Sequence, residues 1–180
     1  MKSAAVIIFE NFEEIEATAP IDILRRAEIG VCVATMGGAL ATTGRSGIKL
    51  VADKLFSEIE NETFDAVIIS GGPGTMKVSM NKNLLDFIKR HDAANKTVAA
   101  ICAAPVVLKN AGALVGKTCA CHTSKEAELS EHLEKGKNVV SSKNAITSRG
   151  AGTAVQFSLE IVKKLLSGKI ADDIAKSICF

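Results

Sequence analysis

Lys96-Thr97-Val98-Ala99-Ala100-Ile101-Cys102-Ala103-Ala104-Pro105-Val106-Val107-Leu108-Lys109-Asn110-Ala111-Gly112 decides how the chain is read. Val98 to Ile101 is an apolar run of the length of a buried strand. Pro105 suits a first helical turn, where its missing N–H is not needed, and Gly112 suits a C-terminal stop. Cys102 therefore falls where a strand turns sharply into a helix. Such a turn lifts the side chain above the sheet edge and aims the free N–H groups of the next helix at the sulfur. Both features favour a thiolate nucleophile. The competing reading is an ordinary buried thiol, because free cysteines are often buried and inert.

Working outward, Ala4 to Phe9, Gly30 to Thr35 and Phe64 to Ser70 read as further buried strands. Glu13 to Glu28 reads as a helix capped by Asn11, with acids early, Arg25 and Arg26 late, and a kink at Pro20. At helical spacing Glu16 shares an inward stripe with Ala19, Pro20, Ile23 and Ala27, whereas Glu14 falls on the solvated side. A desolvated Glu16 carboxyl would have a raised pKa and could exchange a proton with a thiol; the bland alternative is a rim carboxylate. Gly71-Gly72-Pro73-Gly74 follows a strand directly and lets backbone N–H donors approach Cys102 as an oxyanion site. Its frame is not that of a phosphate-binding P-loop.

Gly37-Gly38 and Gly44 to Gly47 mark turns around short extended pieces, and Leu55 to Glu60 a helical turn. Asn83 is read as the cap of a helix over Leu84 to Ala94, with His91 on its surface. Lys117 to His122 reads as a strand with Cys119 and Cys121 on one face and His122 on the other, which argues against a shared zinc site. Lys125 to Lys135 reads as a charged surface helix. Val139 to Ser141 and Ala145 to Thr147 form an edge hairpin. Helices over Ala154 to Leu166, with Val155, Leu159, Val162 and Leu166 inward, and over Ile170 to Ile178 complete the chain. Strands alternating with helices imply a parallel sheet covered on both faces, with its site beyond the strands' C-terminal ends. Glu16, Gly71, Gly72, Cys102 and His122 all follow strand ends.

A chain of 180 residues is expected to form one domain, residues 1–180. A net charge of +2 with interspersed signs and no Trp or Tyr gives no case for nucleic acid or a membrane surface. The five cysteines are odd in number and contain no C-x-x-C, so a reducing, cytoplasmic setting is expected. The first strand is too short for a targeting segment, and no run reaches the roughly 20 apolar residues of a transmembrane helix.

Glu13-Glu14-Ile15-Glu16, Arg25-Arg26-Ala27, Ser70 to Gly74, Ala99 to Pro105, His122 and Thr147 to Thr153 form an ordered set. The set resembles the ThiJ/PfpI superfamily, in the branch of the parkinsonism-associated protein deglycase (DJ-one), along essentially the whole chain. The resemblance implies an α/β, flavodoxin-like three-layer sandwich: a mostly parallel sheet with helices on both faces and a small edge hairpin. It implies a cofactor-free, glutathione-independent glyoxalase and deglycase acting on 2-oxoaldehydes such as methylglyoxal, and on their early protein adducts. Cys102 would be the nucleophile, Glu16 the general acid/base and His122 an auxiliary. Gly71, Gly72 and Ala103 would supply the backbone around substrate, with Arg26, Arg45 and Ala151 in support. The resemblance also implies a homodimer through the Glu13 to Glu28 helix, with Arg45 approaching a partner's site. Thr123 and Ala151 stand where prolines are common in relatives.

A thiol beside a carboxyl and an imidazole suits attack on an electrophilic carbonyl without metal or nucleotide. The same pair would suit a redox sensor or redox-regulated chaperone in which Cys102 becomes a sulfinate. An amidotransferase would need glycines flanking the cysteine and a His-x-Glu pair, and a cysteine protease a histidine oriented by an acid. Both rank lower.

Overall fold

The computed structural model describes residues Met1–Phe180. The strands are β1 (Ser3–Ile8), β2 (Gly30–Thr35), β3 (Ala41–Thr43), β4 (Lys49–Val51), β5 (Lys54–Leu55), β6 (Ala66–Ile69), β7 (Thr97–Ile101), β8 (Val139–Ser142) and β9 (Ala145–Ser148). The helices are α1 (Glu14–Arg26), α2 (Phe56–Ile59), α3 (Thr75–Val78), α4 (Lys82–Ala93), α5 (Pro105–Asn110), α6 (Ala154–Leu165) and α7 (Gly168–Ser177). Seven strands form one sheet in the order β5-β2-β1-β6-β7-β9-β8, and β3 and β4 form a separate hairpin. All pairings in the large sheet are parallel except β8 with β9. This is the flavodoxin-like, mostly parallel α/β arrangement, with the edge hairpin where expected.

The sheet is buried on both sides because its strands are apolar throughout. Every residue from Ala4 to Ile8, from Ala66 to Ile69 and from Thr97 to Ile101 is buried. Helices α1, α6 and α7 pack together as one layer, and α4 and α5 as another. The chain runs outward from β1 to β2, then returns to place β6 on β1's other flank. That reversal opens a crevice beyond the C-terminal ends of β1 and β6, where α/β sites form.

Several local expectations change. Pro20 lies inside α1 without ending it; its missing N–H frees only the Glu16 carbonyl. Asn11 does not cap α1. It adopts φ 60°, and the Glu13 carboxylate instead accepts the Glu16 N–H at 2.9 Å. Asn81, not Asn83, caps α4. Residues 117–122 form no strand, only a single bridge from Cys119 to Leu133, and residues 126–132 are turns rather than a helix. The inward face of α6 carries Phe157, Ile161 and Val162, while Leu166 is exposed.

His91 is a buried core residue, not a surface one. The Phe64 N–H donates to its Nε2 at 3.0 Å, and its Nδ1 lies 2.7 Å from the Phe87 carbonyl oxygen. With Nε2 accepting, the proton sits on Nδ1 and the ring is neutral. Burial lowers its pKa, reinforced by the charges of Arg90 and Lys96 and only partly offset by the Phe87 carbonyl. A depressed folded-state value means that this group's stability is complete above the unfolded imidazole value of about 6.5 and is lost on acidification below it. The unfolding free energy from urea titration should therefore fall from pH 7 to 5, by at most about 1.4 kcal/mol per pH unit from this residue. His91→Gln should be less stable at pH 7 and should show a flatter decline over that window. An equally steep decline in the variant would remove His91 as its source.

Candidate active site

The elbow at Cys102 is built by a backbone that the rest of the fold holds in place. Cys102 adopts φ 65°, in the left-handed region, which costs a non-glycine residue of order 1–3 kcal/mol. Its N–H donates to the Ser148 carbonyl at 2.9 Å, and its own carbonyl accepts the His122 N–H at 2.8 Å. Those two bonds tie the turn to the end of β9 and to the loop after α5. Pro105 opens α5 as the sequence predicts. The sulfur thus projects at the crevice, half-buried.

Glu16 comes to the sulfur from the opposite direction. The first turn of α1 lies over the crevice, and the Glu16 side chain is 1% exposed. Its Oε2 accepts the Gly71 N–H at 2.9 Å. Gly71 is therefore a holder of the carboxyl, and its N–H is not free for an oxyanion as the sequence suggested. A Cβ at Gly71 would stand 2.6 Å from Glu16 Oε2, 2.7 Å from Cys102 Cβ and 2.8 Å from the Ile101 carbonyl oxygen. Gly72 adopts φ 107° and packs so closely that a Cβ would meet Asn11 O and Glu13 N at 2.6 Å. Only glycine serves at these two positions.

Burial is the largest force on Glu16 and raises its pKa to about 7; Glu13 adds repulsion, while the Cys102 thiol, the Gly71 N–H and the Arg45 charge act to lower it. Burial also pushes the Cys102 thiol up to about 12, reinforced by the charge of Glu16 and the hydrogen bond between them. This overturns the expectation of a free thiolate at the helix end. The N–H groups of Ala103 and Gly72 do face the sulfur and favour its charged form, but they are outweighed. Two anions cannot share so dry a site, so the pair sheds one proton near neutrality and resists losing a second.

His122 is exposed rather than at a strand end. Its Nδ1 lies 2.9 Å from Ser124 Oγ and accepts the Ser124 N–H at 3.2 Å, so no acid orients it as a protease would require. Gly150, which the sequence places only within the Thr147 to Thr153 stretch and without a role of its own, is where the site converges. A Cβ there would lie 3.7 Å from Glu16 Oε1, 3.8 Å from His122 Cδ2 and 4.0 Å from Cys102 Sγ. Ala151 follows it in a short 3-10 turn over Ala151–Thr153. Arg45 is exposed on the β3–β4 turn, where its N–H donates to the Phe12 carbonyl at 2.8 Å and its charge acts on Glu16 within the same chain. Arg26 stands apart, at the far end of α1, paired with Asp22 at 2.8 Å.

Glu14 corrects the helical-stripe reading. It is 5% exposed, because the β3–β4 turn folds over α1 and donates the Ser46 N–H to Glu14 Oε1 at 2.7 Å. Burial acts to raise its pKa, but backbone N–H groups of Glu14, Ser46 and Ile48 outweigh it and hold the carboxyl below its usual range.

A cysteine elbow facing a buried carboxyl at the switch point of a flavodoxin-like sheet defines a class of α/β cysteine protein. Residues 2–164 match the model of the DJ-1/PfpI family, and the chain belongs to that family. Protein DJ-1 homolog A of Arabidopsis thaliana is 37% identical over 174 residues, 96% of this chain and 44% of that protein, so the chain spans less than half of that relative's length. The glutathione-independent glyoxalase DJR-1.2 of Caenorhabditis elegans is 33% identical over 181 residues, 99% of this chain and 96% of that protein. The structure of oxidized Toxoplasma gondii DJ-1 superposes with a TM-score of 0.96 at 32% identity, covering 100% of this chain and 99% of that one.

Two measurements test this geometry. Gly71→Ala should lower stability by about 1–3 kcal/mol through overpacking and should change the rate of Cys102 alkylation as Glu16 is displaced; unchanged values for both would refute the close approach. The rate of Cys102 alkylation by iodoacetamide should rise through pH 7 and level off as the pair loses its first proton. Glu16→Gln should lose that step, and its Cys102 should titrate below the wild-type thiol because the charge of Glu16 no longer opposes the thiolate. A retained step near pH 7 in the variant would assign the titration elsewhere.

Proposed function

We propose that the protein is a cofactor-free glyoxalase acting on 2-oxoaldehydes, and on the early adducts these form with protein side chains. The observation that carries this reading is the buried Glu16 carboxyl, poised near pH 7 against the Cys102 thiol. Glu16 in its ionised form takes the thiol proton as Cys102 Sγ adds to the aldehyde carbon. Glu16 passes that proton on to the aldehyde oxygen, which gives a hemithioacetal and leaves the carboxylate ionised again. Glu16 then carries the proton from C1 to C2, so that C1 is oxidised and the ketone reduced within one molecule. The resulting thioester is opened by water, which releases a 2-hydroxy acid and restores the thiol. No external oxidant or reductant enters. Ala103 and Gly72 N–H groups, already directed at the sulfur, are suited to charge developing beside it. His122 borders the space above the sulfur and acts as an auxiliary proton carrier. The likeness to a glutathione-independent glyoxalase supports the same reading.

A second reading rests on the same pair. A protonated Glu16 can donate a hydrogen bond to an oxygen added at Cys102, which favours a stable sulfinate and a redox-sensing role. The oxidized form of the Toxoplasma relative supports it.

Lactate formed from methylglyoxal without glutathione separates the two. Turnover should be present in wild type, abolished in Cys102→Ser and reduced by about 10²-fold or more in Glu16→Gln. Absence of turnover above buffer, together with selective dioxygen addition at Cys102 after mild peroxide, would favour the redox sensor.

A further inference from the structure

A cleft of about 360 Å³ opens beside Gly150, lined by His122, Thr123, Asn138, Arg149 and the Gly150–Thr153 turn. Two of its walls belong to the reacting centre. A Cβ on Gly150 would lie within 4.0 Å of Glu16 Oε1, His122 Cδ2 and Cys102 Sγ, so Gly150 stands between the sulfur and this cleft. Cys102 and Glu16 do not line the cleft themselves, so a group bonded to Sγ reaches it only by passing Gly150 and His122. Its volume falls within the range of small-molecule sites.

The lining is chemically one-sided. It includes Arg149 but no carboxylate. The Arg149 side chain is exposed and takes part in none of the chain's ion pairs. Its backbone, by contrast, is fixed: the Arg149 N–H donates to the Asn138 carbonyl at 3.0 Å, and the preceding Ser148 hydroxyl donates to the same carbonyl at 3.0 Å. The Thr153 hydroxyl is engaged inward, 2.6 Å from Ser148 Oγ and 2.8 Å from the Gly150 carbonyl. A rigid base thus presents one unpaired guanidinium, whose planar fork matches a carboxylate.

We propose that this cleft is a carboxylate subsite, and that the substrate is a 2-oxoaldehyde whose far end carries a carboxylate held by Arg149 while Cys102 takes the aldehyde. The inference rests on the glyoxalase reading for the reacting end alone. It sets small acidic aldehydes above cationic peptide adducts, which Arg149 repels.

Levulinate tests the subsite without turnover. It carries a ketone and a carboxylate but no aldehyde, and 2-pentanone is its uncharged counterpart. The readout is protection of Cys102 from iodoacetamide, followed by mass spectrometry. Levulinate should protect the wild type at a roughly tenfold lower concentration than 2-pentanone. Arg149→Gln should erase that difference, and Arg149→Lys should keep part of it; matching thermal midpoints would show that both variants fold. Equal protection by the two compounds in wild type, or an undiminished preference in Arg149→Gln, overturns the proposal. The ratio of kcat/KM for 4,5-dioxopentanoate over 2-oxopentanal should follow the same order among the three proteins. Protection without any turnover would keep the subsite and sink the glyoxalase reading. Methylglyoxal turnover without the levulinate preference would do the reverse.

Discussion

The site depends on a backbone held where an ordinary residue does not rest. Cys102 sits at φ 65° at the end of β7. Bonds to Ser148 on one side and His122 on the other hold it there. Each of those partners comes from a different stretch of chain, so the strain at one residue is met by the cohesion of the whole sheet edge. If the elbow relaxed, the sulfur would drop toward the sheet, and Glu16, Gly72 and Ala103 would surround an empty space.

The second constraint is dryness. A thiol at the N-terminal end of a helix should ionise readily, and two N–H groups do face Cys102. Burial works the other way and prevails, because water solvates a thiolate better than two N–H dipoles do. Bringing a carboxyl into the same space turns that cost into a mechanism. Glu16 and Cys102 together accommodate one negative charge, which the two share through the hydrogen bond between them. The α1 first turn, the Gly71-Gly72 loop and the elbow each contribute one side of this arrangement. The short helix α5 adds little, since its dipole acts against a larger desolvation.

Much of this was legible in the residue order. Buried parallel strands are continuous apolar runs, and β1, β6 and β7 fell where such runs lie. Pro105 and Gly112 bounded α5 because proline fits a first turn and glycine a left-handed stop. Glu16 was marked by its place on an inward stripe. The misreadings share a cause. Glu14 was assigned to solvent from the geometry of α1 alone, but the β3–β4 turn, some thirty residues onward, covers it. His91 was assigned to the surface from the end of α4, but Phe64 from the strand approach takes its Nε2. Residues 117–122 alternate as a strand does, yet no neighbouring strand is there to pair with them.

By itself the sequence determined the alternation of strands and helices, the turn that bears Cys102 and the glycines beside it, because periodicity and turn chemistry act over a few residues. The tertiary structure alone decided that Glu16 is dry, that Gly71 holds it, that Gly150 closes the space over the sulfur and that Arg149 faces an open cleft. Those facts depend on contacts between segments far apart in the chain. Desolvation, which sets where the proton lies, is a property of everything packed around a group and is written in no single stretch of residues.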